Sequence, residues 1–379
     1  MTKRNRLPGQ LRRLIIKVGS RILVDSRGRP DLEKIDRLAT GISRLHRQNY
    51  EVILVSSGAI AAGVQTLGWN SRPANLPDLQ MAAAIGQSVL MHQYSVSFSH
   101  HGCRIGQVLL THSDLKNRER HLNARNTMLA MLRNRVIPVV NENDVVAVDE
   151  IRFGDNDLLA SMVSTLVDGD MLFLLTTADG LYRMEDGEMK ERIPLLEAVT
   201  NDTIAMAQDG GKGSQWSSGG MASKLEAAKY AAQAGTPVVI ANGNENGVIE
   251  RILNGEDIGT LVLAEEREQP LKARKKWIAF FHRAEGSIIV DDGAKTAICS
   301  RGNSLLPAGV DHTRGQFKVG ALVNILGLNG KPVARGITAY SRDDIERIKG
   351  RHTAEIPDIL GESHYEEVIH RDNMVVIEK

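Results

Sequence analysis

Apolar runs alternate with segments of helical periodicity through the first 265 residues of the chain. Runs that predict strands lie at residues 11–20, 51–57, 103–111, 136–141, 171–177 and 236–242. Leucine and isoleucine recur at steps of three and four residues from Leu32 to Leu45, which is typical of an amphipathic helix. Further helices are predicted at 79–98 and 119–133. Because most of the strands are apolar on both faces, they favour a mostly parallel sheet between two helix layers, a three-layer α/β/α fold.

The pattern changes near residue 265. The stretch 266–281 is rich in charged residues and lacks apolar periodicity, so it is interpreted as a linker between a first domain, 1–265, and a second domain, 282–379. In the second domain the apolar segments are short and separated by glycines, as in "GSIIVDDGA" and "GALVNILGLNGKPVARGITAY". This pattern predicts a small β domain of barrel type.

Composition narrows the function classes. The net charge of +1 argues against a strongly basic nucleic-acid binder. The chain has no run of 18 apolar residues and its basic N-terminus has only a short apolar run, so neither a membrane span nor a signal peptide is expected. Cys103 and Cys299 are the only cysteines, which excludes a disulfide framework and a thiolate zinc site and fits a cytoplasmic protein. No metal-spaced cluster of histidines is present, so a protein-bound metal is not predicted.

Two lysines lie where α/β proteins bind anions. Lys17 is near the end of the first strand, and parallel sheets bind ligands beyond their strand ends. Lys224 lies in the first turns of a helix that follows the Gly- and Ser-rich stretch 210–220, where free N–H groups and the helix dipole attract phosphate. The spacing fits neither the P-loop nor the dinucleotide pattern. A snorkelling lysine and a flexible loop before a helix are the alternatives.

The segment "VSSGAIAAG" (55–63) joins a strand to a helix through small residues. Such residues let a ligand approach the backbone and the N–H groups of the helix start. They also serve a tightly packed strand–helix turn, and both interpretations are open.

Acids and amides are concentrated in two tetrads, "NEND" (141–144) and "GDND" (154–157). The first follows a predicted strand and the second precedes a predicted helix, for which Asp155 or Asn156 also fits as an N-cap. Capping accounts for one tetrad but not for two near the same sheet edge. Asn and Asp side chains converging there are suited to bind an amino-acid ammonium group, and a carboxylate can orient lysines that touch phosphate.

These motifs together resemble the amino acid kinase family. The resemblance rests on "KVGS", "VSSGAIAAG", "RERHLNARNT", "IPVVNENDVV", "FGDNDLLAS", "GLY" and "GGMASKLEAA", in the expected order over residues 14–235. The C-terminal part, with "SLLPAGV" and "PVARGITAY", resembles a PUA domain. The resemblance implies ATP-dependent phosphorylation of the γ-carboxylate of L-glutamate to L-glutamyl 5-phosphate, the first step of proline synthesis, with Mg²⁺ bound mainly through the nucleotide phosphates.

The resemblance also implies roles for individual residues. The substrate-binding positions are Ser57, Gly58, Asp144 and Asn156. Lys17 and Lys224 would contact phosphate, and Asp157 would organise both lysines. The nucleotide positions are Lys17, Thr176, Thr177, Ser218, Gly219, Gly220, Met221, Ala222, Ser223 and Lys224. Many family members have an acid where this chain has Thr177, so the nucleotide contacts there are expected to use backbone groups.

Regulation and partners follow from the resemblance alone. Proline is expected as a feedback inhibitor at residues 144–153, with Glu150 as the candidate residue, because proline shares the ammonium and α-carboxylate of glutamate. A homo-oligomer, either a dimer or a tetramer, and a downstream glutamyl phosphate reductase are the expected partners. No membrane partner is expected.

Two other functions fit parts of the sequence. The same fold acts on other acceptors in relatives, such as aspartate, N-acetylglutamate or a nucleoside monophosphate. RNA binding is the alternative from another class, because PUA domains occur in RNA-modifying enzymes. Residues 270–379 hold 17 Lys and Arg against 14 Asp and Glu, a weak positive excess that gives little support to an RNA footprint.

Overall fold

A computed structural model describes residues 11–25, 29–147, 156–185, 188–208, 220–265, 275, 278–279, 284–361 and 365–377. The chain divides into two compact units, Met1–Glu268 and Gln269–Lys379. The linker proposed at 266–281 lies outside the described residues except for Lys275, Ile278 and Ala279.

The first unit is built on an eight-stranded sheet. Its strands are β1 (Arg13–Val18), β2 (Glu51–Val55), β3 (Arg104–Leu110), β4 (Val136–Glu142), β5 (Met171–Thr176), β8 (Leu195–Leu196), β9 (Val238–Asn242) and β10 (Thr260–Val262). They lie in the order β3-β4-β2-β1-β5-β9-β10-β8. All pairs from β3 to β9 are parallel, and only β10 runs antiparallel to β9. The predicted mostly parallel sheet is therefore confirmed.

Helices cover both faces of this sheet. They are α1 (Ser20–Leu23), α2 (Leu32–Arg47), α3 (Ala59–Thr66), α4 (Leu76–His100), α5 (His112–Lys116), α6 (Arg118–Arg133), α7 (Asn156–Leu166), α8 (Asn201–Gln208), α9 (Met221–Gln233) and α10 (Val248–Leu253). In β1, Leu14 and Ile16 pack in one core with Ile35 of α2 and Tyr94 of α4. Ile15 points to the opposite face, as strand alternation requires, and α7 packs against β1 on that side. Strands apolar on both faces thus have a helix layer on each side.

A two-stranded antiparallel hairpin, β6 (Leu181–Glu185) and β7 (Glu188–Ile193), forms a sheet separate from the main one. The sequence pattern does not predict it, because "RMEDGEMKER" between its ends is almost entirely polar and has no apolar alternation. The short strands β8 and β10 are also too brief to give a periodic signal.

The second unit has a sheet of its own with five strands, in the order β12-β11-β13-β14-β15. The strands are β11 (Gly286–Val290), β12 (Val310–Gly315), β13 (Leu322–Gly327), β14 (Pro332–Ile337) and β15 (Met374–Val376). Only the β11–β13 pair is parallel. Helices α11 (Asp292–Arg301), α12 (Arg342–Ile348) and α13 (Ile356–Leu360) complete the unit. The small β unit is confirmed, although its helices were not predicted.

Candidate active site

The carboxyl ends of the central strands bring the polar motifs to one edge of the first unit's sheet. Strands β4, β2, β1 and β5 are parallel neighbours, so these ends lie side by side. Lys17 lies near the end of β1, Ser56 and Ser57 follow β2, and Asn141 lies near the end of β4. Helix α7 begins at Asn156 and packs against all four strands. This is the edge at which open α/β sheets bind ligands.

Asp157 joins the two lysines. One of its carboxylate oxygens, Oδ1, forms an ion pair with Lys17 Nζ, and the other, Oδ2, accepts a hydrogen bond from Lys224 Nζ at 2.9 Å. All three residues are buried, with exposed fractions of 3% for Lys17, 6% for Lys224 and 0% for Asp157. The structure thus brings together three residues that are far apart in the sequence.

The charges of this triad do not cancel. The triad itself consists of two ammonium groups and one carboxylate, so its own formal charge is +1, and all three residues are buried. Burying unbalanced charge is costly unless a partner completes it. Asp157 also lies in the first turn of α7, where the helix dipole favours its negative charge. The arrangement is therefore suited to an anion that approaches both lysines from the side opposite Asp157.

A cluster of amides and serines lies beside the triad. Asn156 Nδ2 donates to the Ser56 carbonyl oxygen, to Asn141 Oδ1 at 2.7 Å and to Ser57 Oγ at 3.3 Å. Asn141 Nδ2 in turn donates to Gln87 Oε1 of α4 at 2.7 Å. Asn156 therefore holds the ends of β2 and β4 together. Asn156 belongs to the amide cluster and Asp157 holds the two lysines. Because these residues are consecutive in the sequence, the amide cluster and the lysine pair lie side by side.

Small residues fix the position of α3 beside Ser57. Gly58, the residue before α3, has a left-handed φ of +102°, which favours glycine. A Cβ atom at Gly63 would lie 1.7 Å, and one at Gly86 of α4 1.8 Å, from a carbonyl oxygen of the facing helix. Of the two interpretations of 55–63, tight packing is confirmed at Gly63. Approach of a ligand to the backbone at Gly58 stays a prediction.

Comparison with known proteins agrees with this geometry. Residues 12–242 match the amino acid kinase family and residues 286–360 match the PUA domain. The chain belongs to the amino acid kinase family. It is 47% identical to glutamate 5-kinase of Moorella thermoacetica, with 97% of each chain covered. It is 45% identical to glutamate 5-kinase of Carboxydothermus hydrogenoformans, over 97% of this chain and 98% of the relative. It is also 45% identical to glutamate 5-kinase of Thioalkalivibrio sulfidiphilus, over 100% of both chains.

Asp144, the last residue of the first tetrad, lies in the turn after β4 of this amino acid kinase. Burial raises the pKa of the Asp144 carboxyl to about 6, and the nearby Arg72 guanidinium opposes part of that rise. Burial lowers the pKa of Arg72, and Asp144 opposes that change in turn. The turn is tied to α4 because Gln80 Nε2 donates to the carbonyl oxygen of Ala147 at 3.2 Å. A carboxylate and a guanidinium together match the two charges of an amino-acid main chain.

The residues expected to bind nucleotide lie at neighbouring elements. Thr176 ends β5, pairs with Asn242 of β9, and is followed by the exposed Thr177. Gly220 directly precedes α9, whose first turn contains Met221, Ala222, Ser223 and Lys224. The strand end and the helix start therefore belong to adjacent parts of the sheet edge, since α9 packs against β9.

Several expected site residues lie outside the described residues. They are Glu150, Ser218 and Gly219, together with the candidate helix cap Asp155. In the part of the chain that the structure describes, no group of three His, Cys, Asp or Glu side chains is placed to hold a metal ion. No described helix is both long and apolar enough to cross a membrane.

The sequence analysis assigned no individual role to four residues that the structure brings to this edge. They are Arg72, Gln87, Tyr94 and Asn141. Asn141 belongs to the tetrad "NEND", but its contact with Asn156 spans 15 residues of sequence. Gln87 and Tyr94 lie two turns apart on one side of α4, but the helix contains several other polar residues, so the sequence does not single these two out.

Proposed function

We propose that this protein catalyses the reaction for which its relatives are named. It transfers the γ-phosphoryl group of ATP to the γ-carboxylate of L-glutamate, which gives ADP and L-glutamyl 5-phosphate, the first step of proline biosynthesis. One observation carries the proposal. A buried lysine pair bridged by Asp157 lies directly beside the amide cluster of Asn156, so a phosphate site and an amino-acid site share one boundary.

The chemistry asks the protein for charge and alignment rather than for proton transfer. A glutamate side chain has a pKa near 4.3, so the attacking γ-carboxylate is already ionised at neutral pH and needs no general base. The obstacle is the repulsion between this carboxylate and the triphosphate. Lys17 and Lys224 offset that repulsion and stabilise the equatorial oxygens of the transferring phosphoryl group. Asp157 keeps both ammonium groups in place for this task.

The nucleotide is assigned to the ends of β5 and the start of α9, with Thr176, Thr177 and residues 218–224 as its neighbours. Mg²⁺ is expected to arrive bound mainly to the ATP phosphates, where it would supply further charge neutralisation. Ser57, Gly58, Asp144 and Asn156 are assigned to glutamate, with Asp144 balancing the substrate's ammonium group.

Glutamate-dependent turnover tests the proposal directly. The purified full-length chain is incubated with ATP, Mg²⁺ and L-glutamate, and ADP release is measured together with trapping of the acyl phosphate by hydroxylamine. Parallel reactions contain L-aspartate, N-acetyl-L-glutamate or UMP. L-Glutamate should give the highest kcat/KM by a wide margin. Higher kcat/KM with another acceptor, or RNA binding in place of any turnover, would overturn the assignment.

The raised pKa of Asp144 predicts how glutamate recognition depends on pH. Asp144 is ionised above about pH 6 and neutral below it, and only the ionised form balances the substrate's ammonium group. The kcat/KM for L-glutamate should therefore fall about ten-fold for each pH unit below about 6, since this ratio reports groups of the free enzyme. Initial rates between pH 5 and 8, with ATP saturating, measure the profile.

Two variants test whether Asp144 causes this pH dependence. Asp144→Asn should raise the KM for L-glutamate at every pH and abolish the fall of kcat/KM below about pH 6, which is called the step below. Ser57→Ala should also raise this KM but keep the step, because it leaves the carboxyl group in place. An unchanged step in Asp144→Asn would assign the titration to another group.

The remaining parts of the proposal concern regulation and context. Proline is assigned as a feedback inhibitor acting near residues 144–153, where Glu150 is the candidate contact. The protein is proposed to be cytoplasmic, to form a dimer or tetramer, and to deliver its unstable acyl phosphate to a glutamyl phosphate reductase. Proline titration of the turnover assay tests the inhibition, and light scattering of the purified chain tests the oligomeric state.

A further inference from the structure

Helix α4 carries two polar side chains that face the amide cluster. Its other buried residues are Leu79, Ala82, Ala83, Gly86, Leu90, Ser97 and Phe98. Gln87 is half-buried and Tyr94 is fully buried. Close packing at Gly86 brings this helix against α3, and the same approach places Gln87 within reach of β4. Neither polar residue belongs to the lysine pair or to the expected substrate contacts.

Gln87 is the outer end of a chain of three amides. Gln87 Oε1 accepts from Asn141 Nδ2 at 2.7 Å, and Asn141 Oδ1 accepts from Asn156 Nδ2 at 2.7 Å. Asn141 Oδ1 also accepts from the backbone N–H of Glu142 at 2.9 Å. Because an amide has one donor end and one acceptor end, each bond in such a chain fixes the orientation of the next group.

This chain fixes the orientation of the Asn156 amide. Its Nδ2 is turned toward Ser57 Oγ, Asn141 Oδ1 and the Ser56 carbonyl oxygen. The amide oxygen Oδ1 is attached to the same carbon as Nδ2, so holding Nδ2 at these acceptors also fixes the side of the amide on which the Oδ1 acceptor lies. An acceptor at this position suits an ammonium group and rejects a carboxylate, since the substrate's ammonium group can only donate.

Tyr94 supports the same cluster from a second direction. Its hydroxyl oxygen lies 2.8 Å from Ser56 Oγ, and the carbonyl oxygen of Ser56 is one of the acceptors for Asn156. Burial raises the pKa of Tyr94, so the hydroxyl remains a neutral partner. Ser56 is also fixed by its N–H, which donates to the Val140 carbonyl oxygen at 2.9 Å.

We propose that Gln87 is a positioning residue for recognition of the substrate's ammonium group, acting through Asn141 to hold Asn156 with its oxygen toward the ligand. The proposal rests on the function proposed above and adds a residue that has no contact with the reacting atoms. The proposal requires a hydrogen-bond acceptor at position 87. A side chain that accepts from Asn141 Nδ2 preserves the orientation, and one that does not accept removes one of the hydrogen bonds that fix it.

Three substitutions at Gln87 test whether an acceptor is needed at this position. Gln87→Met keeps the length and removes the acceptor, Gln87→Lys presents a donor, and Gln87→Glu keeps an acceptor at the same reach. Met and Lys should raise the KM for L-glutamate about ten-fold, the effect of one lost buried hydrogen bond, and leave kcat and the KM for ATP within about two-fold. Glu should restore the KM to near the wild-type value.

The matched control is Gln93→Met, a half-buried glutamine on the same helix that lies outside the amide chain. It should leave both KM values unchanged. If Gln87→Met fails to fold, the contrast between Glu and Lys carries the same test of acceptor against donor. Equal KM increases in all three variants would show a role in packing only, and unchanged KM values would remove the role altogether. Wild-type protein without glutamate turnover would instead refute the proposed function.

Discussion

Replacing Lys17 or Lys224 with methionine should lower kcat by about 10²- to 10³-fold and change the KM for L-glutamate by less than about three-fold. Methionine keeps much of the buried volume of each lysine and removes its charge. The remaining lysine stays paired with Asp157, so the surplus positive charge of the triad disappears. Charge that builds up on the phosphoryl oxygens then loses a stabilising partner that matters most in the transition state.

Lys229→Met is the matched control for position 224, because Lys229 lies on the same helix and its Nζ donates to Asn201 Oδ1 at 3.1 Å, away from Asp157. This variant should retain kcat. Steady-state kinetics with ATP and L-glutamate varied in turn separate the two effects. A variant at Lys17 or Lys224 that raised the glutamate KM and kept kcat would move that lysine from the phosphate to the amino-acid site.

Asp157→Asn should have the second large effect, on stability as well as on rate. It leaves two buried ammonium groups facing a neutral amide, and removing one partner of a buried ion pair costs about 3–5 kcal/mol. For a unit of this size the midpoint of thermal unfolding should fall by roughly 10 °C. The kcat should fall at least as far as in the lysine variants, because both lysines lose their common anchor.

Combining Asp157→Asn with Lys224→Met distinguishes repulsion between the lysines from a simple loss of packing. The double variant removes one of the two unbalanced charges, so it should unfold at a higher temperature than Asp157→Asn alone. Activity should not recover. Additive losses of stability in the two substitutions would contradict the coupling that the 2.9 Å contact between Lys224 and Asp157 implies.

Periodicity alone predicted the elements that bury an apolar surface. The central strands and the helices α2, α4 and α6 are predicted from their apolar periodicity. The hairpin β6–β7 does not, because its residues are polar and its pairing is antiparallel outside the sheet. In the second unit, α11 reads "DGAKTAICSR", whose Asp-Gly start is typical of a turn. The helix start is fixed by Asp291 Oδ1, which accepts a hydrogen bond from the Ala294 N–H.

The sequence likewise predicts some of the site residues, but not the contacts between them. Lys17, Asp157 and Lys224 could be proposed from sequence because each lies at a recognisable strand end or helix start and because family motifs contain them. Their contact spans 67 residues between Asp157 and Lys224 and could not be measured without the fold. The chain from Gln87 to Asn156 was out of reach, since a glutamine inside a helix gives no sign of which strand end it will meet.

The direct succession of Asn156 and Asp157 has a consequence for the choice of substrate. Their Cα atoms are separated by one trans peptide, about 3.8 Å, a distance that neither loop motion nor domain motion can change. On the proposed assignment, one residue faces the ammonium end of the substrate and the next anchors the lysines at its phosphorylated end. Aspartate is one methylene shorter than glutamate, and a misplacement of about 1 Å at the reacting atoms costs about 10²-fold in rate. On this assignment, the first two residues of α7 set the distance between the two ends of the amino acid and so favour glutamate over aspartate.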